Sequence, residues 1–212
     1  MPALAQDETV RLTPKGARSR QRILDTGERL FAEKGYAGTT LRDVAAASGL
    51  RIPSLYNHFA GKEALYSAVL ERGMQPLLEA MSGYLEAGDV RPDREQFTAR
   101  MFELLALRPK LPRLVQHEVL DGGTHLSPIL RRWFKPALAK AEEAVRAHPG
   151  ARHWDPDQIP LLVLAFYHLA VGAFTIAPLV QALDREDLLT EDGLPKQVRF
   201  FADVVAALLP EE

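Results

Sequence analysis

The sequence predicts an all-α fold, and three observations carry that expectation. Apolar residues recur at helical spacing along most of the chain. Pro and Gly interrupt the pattern at intervals of a helix length. No stretch alternates apolar and polar residues between turn signals, as strands would. The 212 residues are 47% hydrophobic and 25% charged, enough to build a core in one domain or two small ones. Cysteine is absent, which excludes disulfides and thiolate metal sites and fits a reducing, cytoplasmic setting.

Residues 1–17 mix Pro, Gly and polar side chains without periodicity and read as a flexible arm. Their start lacks the basic and apolar runs of a secretory signal. From Ser19 the pattern turns helical: Ile23, Leu24, Gly27, Leu30 and Phe31 share one face, and Lys34-Gly35 supplies a stop. Thr40 and Asp43 form a capping box that opens a short helix over 41–48. A second begins at Ile52-Pro53, with Pro in its first turn, and runs to Phe59. Ala60-Gly61 breaks it, and Lys62 opens a longer helix that bends or ends near Gly73–Pro76. Further helices are expected over 76–87, 94–107, 110–120, 127–147, 157–182 and 195–209.

Residues 41–59 meet the physical needs of a helix-turn-helix. Ala45 lets two helices approach closely, and Gly49 can take the left-handed conformation of a tight turn. Leu41, Val44, Leu50 and Leu55 supply a buried side, leaving Arg51, Ser54, Tyr56, Asn57 and His58 outward. That outward set is rich in hydrogen-bonding groups and lacks carboxylates, as a helix in a major groove requires. A plain helical hairpin in a larger bundle satisfies the same spacing. Charge is also divided: residues 11–72 carry eleven Lys/Arg and six Asp/Glu, while residues 73–212 carry fifteen and twenty. A basic front on an acidic body suits a polyanion partner at the front only. Arg11, Lys15, Arg18, Arg20 and Arg22 add to the front, as a backbone-wrapping arm or as a solvated tail.

The runs Arg22-Ile23-Leu24-Asp25, Leu30 to Tyr36, Thr39-Thr40, Asp43-Val44-Ala45, Ser48-Gly49, Leu55 to Phe59 and Gly61-Lys62-Glu63 with Leu65 closely resemble the TetR/AcrR family of bacterial transcription regulators. The match covers residues 19–72. Gly27 stands where that family usually has Ala, and Ile52-Pro53-Ser54 replaces its commoner recognition-helix opening, so the operator sequence does not carry over. The resemblance implies a DNA-binding domain over 18–72 and a ligand-binding and dimerisation domain over 73–212. It also implies phosphate contacts from Thr39, Thr40, Tyr56, His58 and Lys62. Arg51, Pro53, Ser54 and Asn57 would meet base edges, and Arg42 either a base or a phosphate.

Residues 158–183 contain no Asp, Glu, Lys or Arg, a length that would cross a bilayer. Pro160, His168, Thr175, Pro178 and Gln181, acidic flanks and the lack of a second span favour a buried subunit interface instead. In the resembling family the last two long helices form a four-helix bundle between subunits, implying a homodimer through 157–182 and 195–209. Val198, Phe201, Val205, Leu208 and Leu209 would form the sticky face of the second. Two heads related by a two-fold axis read a palindrome, and a ligand that favours the splayed form releases DNA.

The pocket for a small, hydrophobic effector is expected among the helices from 94 to 182, with Leu104, Val115, Val119, Trp133, Phe134, Leu138, Phe166 and His168 as candidates. Ordinary core packing accounts for each of these equally well. His117 and Asp121 sit at a spacing that can share a metal on a helix, but Gly122-Gly123 closes the segment, and no metal or cofactor is assigned. A regulator answering a protein partner, or acting as an activator or architectural factor, is the second reading. An enzyme built on His117, Glu118 and Asp121 is a remote third, without a nucleophile motif or phosphate loop to support it.

Overall fold

The computed structural model describes residues 13–86, 94–123, 125, 131, 134–183 and 189–210. Among these residues the regular structure is entirely helical. Helix α1 (Pro14–Lys34), α2 (Leu41–Ala47), α3 (Ile52–Tyr56) and the first half of α4 (Lys62–Glu86) form the N-terminal head. The body comprises the rest of α4 with α5 (Arg94–Ala106), α6 (Leu111–Leu120), α7 (Lys135–Ala147), α8 (Ile159–Ala182) and α9 (Gly193–Leu208).

Helix α1 starts five residues earlier than the periodicity suggests. Thr13 caps it by accepting the Gly16 amide, and Pro14 fits the first turn, where no amide donor is needed. Residues 14–17 are therefore helix rather than arm, and residues 1–12 lie outside the described residues. Ile23, Leu24, Leu30 and Phe31 are buried, as their spacing demands, against Leu65, Tyr66, Val69 and Leu70 of α4.

Gly73 and Pro76 do not end α4, which continues to Glu86. Tertiary burial of Met74 and Leu78 on either side of Pro76 outweighs the lost amide donor. Gly73 instead serves packing: a Cβ there would stand 2.5 Å from Cδ1 of Leu111, so its absence lets α6 close on α4. The two helices expected to meet near Gly73–Pro76 are thus a single helix shared by head and body.

Three apolar clusters follow from this arrangement. The largest fills the head and runs into Met74, Leu78, Leu111 and Leu114 beneath it. A second joins α7, α8 and the C-terminus through Val145, Leu162, Val163 and Leu209, where the Trp154 indole donates to the Leu208 carbonyl at 2.9 Å. The third joins α5, α8 and α9 through Phe102, Phe174 and Val198. Val198, Leu209 and the half-buried Phe201 and Leu208 therefore pack within the chain, correcting the expectation that this face of the last helix is a free dimer surface.

Candidate DNA-binding head and effector cavity

The turn between α2 and α3 has the geometry its sequence requires. Gly49 takes φ +65°, a left-handed conformation that costs a side-chain-bearing residue energy. Val44, Ala45 and Leu55 are buried, and Leu41 and Leu50 are partly so. The Thr40–Asp43 capping box closes in both directions, at 3.2 Å and 3.0 Å. The Thr40 hydroxyl, then its backbone amide, hold the Asp43 carboxyl below its ordinary pKa.

Helix α3 is shorter than expected, ending at Tyr56, with Asn57 as its C-cap. Arg51, Pro53, Tyr56 and Asn57 are exposed and Ser54 is half-buried, so the outward set is accessible on the head. Arg42 is exposed on α2. His58 is half-buried, with Nδ1 turned inward and unpartnered. Lys62 is also half-buried: its ammonium lies 4.2 Å from the Tyr36 ring centre and 3.5 Å from the Ala37 carbonyl, and burial lowers its pKa. Along α1, Lys15, Arg18 and Arg22 are exposed, and Arg20 stacks 4.8 Å over Phe59, tying the start of α1 to the end of the recognition segment.

Two of the expected phosphate contacts need correction. Thr39 is fully buried, and its hydroxyl lies 2.9 Å from the Gly35 carbonyl and 3.1 Å from that of Leu30. It serves the Gly35 carbonyl just past the end of α1, within reach of the Leu30 carbonyl, so its hydroxyl is not available to DNA. The Thr40 hydroxyl both accepts the Asp43 amide and donates to the Asp43 carboxylate at 2.7 Å. Its donor capacity is spent on its own helix.

The body holds a cavity of about 360 Å³, within the range of small-molecule sites. It is bounded by α4, α5, α6, α7, α8 and α9. Of the expected pocket residues, Val115, Phe134, Leu138 and Phe166 line it. Leu104 does not; it borders a separate outer groove with Glu28, Arg108 and Lys110, because its neighbour Leu105 takes the inward position on α5. Val119 is 60% exposed, since the inward stripe of α6 runs through Leu111, Leu114 and Glu118, and the next residue is turned about 100° away. His168 is exposed on α8, its Nδ1 2.7 Å from the Leu164 carbonyl. Trp133 lies outside the described residues.

Met74, Met81, Thr98, Met101 and Tyr167 also line the cavity and were not singled out from sequence, and Phe201 and Val205, expected on the dimer face, line it as well. Amphipathic spacing marks a residue as inward but does not distinguish a filled interior from a void.

Glu118 has a different role from the metal or acid–base part considered above. It is 1% exposed and accepts the backbone amide of His125, with the His125 ring 3.3 Å from its other oxygen. Burial raises the Tyr66 pKa, and a hydrogen bond and the charge of Glu118 add to the rise. Tyr36 and Tyr66 pack on the His125 ring, joining α6 to the head. The position was visible in the sequence as the continuation of the Leu111–Leu114 stripe.

A family model described as bacterial regulatory proteins, tetR family, matches residues 23–69. The chain is 35% identical over 172 residues to the HTH-type transcriptional repressor DhaR of Mycobacterium sp. strain GP1, covering 78% of this chain and 87% of that protein. The fold is shared with the fatty acid degradation regulator FadR of Bacillus halodurans, at TM-score 0.61 and 18% identity over 91% of this chain and 95% of that one. It is also shared with SmeT in a structure titled as a triclosan complex, at TM-score 0.60 and 20% identity over 88% and 91% of the two chains.

Proposed function

The chain belongs to the TetR family of bacterial regulatory proteins, transcription regulators rather than enzymes, and from that premise we propose that it is a ligand-responsive repressor that binds a palindromic operator as a homodimer. The apolar cavity at the junction of six helices carries the ligand part of this reading. A largely filled body would have favoured a regulator answering only to a protein partner. SmeT with triclosan and a fatty acid regulator of the same fold are consistent with a hydrophobic effector.

In this reading residues 18–72 are the DNA-binding domain, residues 73–212 bind the effector and dimerise, and the protein works in the cytoplasm. Arg51, Pro53, Ser54 and Asn57 meet base edges from α3, with Arg42 beside them on α2. Tyr56, the outer edge of His58, and Lys62 hold phosphates.

Helix α8 is long and apolar enough to cross a membrane, yet its inner face packs on α7 and lines the cavity. Its outer face presents Leu161, Leu164, Leu169, Ile176 and Leu179, and Phe200 of α9 is also exposed. A second copy covers this surface, as in the family's usual dimer, and sets the distance between two heads.

Footprinting on the DNA upstream of its own coding region, across a salt series, tests the proposal. Protection of a palindrome that weakens steeply with salt is expected, and a compound that fills the cavity should relieve it. Failure to protect any specific site at low salt, in DNA from anywhere in its genome, would refute it.

A further inference from the structure

We propose that the cavity selects an uncharged ligand, an apolar body carrying a hydrogen-bonding head, and rejects carboxylates and cations of the same size. This deepens the effector reading above and rests on it.

The lining is the first argument. None of the described residues around the cavity is Lys, Arg, Asp or Glu. A carboxylate or ammonium entering it would lose its hydration without gaining a countercharge. His148, which also lines the cavity, has its Nδ1 engaged by the chain, accepting the Gly150 amide at 3.0 Å.

The polar groups are the second argument. Thr98 is 6% exposed on α5 and lines the cavity. A hydroxyl at the wall of an apolar cavity offers a ligand's polar head a hydrogen bond that hydrocarbon does not. Tyr167, on α8, lines the same cavity, its ring edge-on to Phe134 at 5.8 Å. Burial raises its pKa, so the phenol remains a neutral donor through the physiological range. The Thr98 and Tyr167 hydroxyls, with that of Tyr84 and the His148 imidazole, are the polar side chains of an otherwise apolar lining among the described residues, and they suit an alcohol, ketone, phenol or ester head.

Probes of equal length and different charge test this without DNA. 1-Decanol, decanoate and decylammonium are competed against the neutral fluorophore N-phenyl-1-naphthylamine on the full-length protein near neutral pH. Decanol should displace the fluorophore at least about tenfold more effectively than either ion. Thr98→Val combined with Tyr167→Phe should weaken decanol severalfold more than it weakens the fluorophore, whose own affinity for the variant is measured directly. If decanoate or decylammonium competes as well as decanol, charge exclusion is overturned while the effector cavity stands. If the double variant binds decanol as the parent does, the hydroxyls are not the head-group site. If the fluorophore does not bind, or binds unchanged when Leu138→Trp or Val171→Phe fills the cavity in variants with native helix content, the effector reading itself fails.

Discussion

Arg108, in the turn between α5 and α6, donates to the Glu28 carboxylate of α1 at 3.1 Å, across 80 positions of sequence. Arg72 of α4 holds the same carboxylate at 2.6 Å and reaches Asp25 with its other nitrogen at 2.6 Å. Glu28 and Arg72 keep only 14% and 15% of their side-chain surface, so solvent screens this pair far less than an exposed one. The network clamps head to body beside the Gly73–Leu111 approach, where a shift of α6 would be felt by α1.

Glu28→Gln should therefore destabilise the protein by about 2 kcal/mol, because it leaves two arginines partly buried against a weaker acceptor. Glu33→Gln, which breaks only the exposed pair with Arg29, should cost less than about 0.5 kcal/mol. Urea denaturation of the two variants makes the comparison. Equal effects would mean that the Glu28 network adds nothing beyond a surface ion pair.

Arg51→Ala and Asn57→Ala should each lower operator affinity, by about 1–3 kcal/mol where a bidentate base contact is lost, with little change in stability since both side chains are exposed. Lys62→Ala should weaken specific and non-specific DNA alike and reduce the salt slope by about 1. Thr39→Val should do the reverse of Arg51→Ala. It should lower the unfolding free energy by about 1–2 kcal/mol, by stripping the Gly35 carbonyl of the Thr39 hydroxyl, and leave the folded protein's DNA affinity intact. Binding isotherms at several salt concentrations beside thermal melts separate these cases.

Leu169→Glu or Ile176→Glu on the outer face of α8 should yield monomers in light scattering after size exclusion. Both side chains are exposed in the protomer, at 40% and 47%, so its own fold should persist. Operator affinity should drop by orders of magnitude, since a single head makes too few contacts. A variant that stays dimeric would place the subunit interface elsewhere.

The capping box gives a pH dependence of known sign. Asp43 has a lowered pKa in the fold, so its stabilisation of α2 is fully present above its ordinary value of about 3.9 and is lost as pH falls through the lower folded value. The stability difference between the parent and Asp43→Ala should be constant near neutrality and shrink on acidification. Unfolding curves from neutral to strongly acid pH would show it, and a difference that grows toward low pH would contradict the assignment.

The helical class, the burial of Ile23, Leu24, Phe31, Val44 and Leu55, the capping box at Thr40 and the left-handed turn at Gly49 were all legible in the order of residues along the chain. Each of these is local, written in the spacing of neighbouring residues or in the steric needs of one backbone unit. Tertiary structure decided what local spacing does not encode. It carried α4 through Pro76, turned the Thr39 hydroxyl from a DNA donor into a helix-end acceptor's partner, and folded the sticky face of α9 inward. It also separated Val115, Phe134, Leu138 and Phe166, which face the void, from Leu104, Val119 and His168, which do not. A cavity is the space left between several helices, so its lining is set by where residues remote in sequence stop short of one another. No single helix carries that information in its own periodicity.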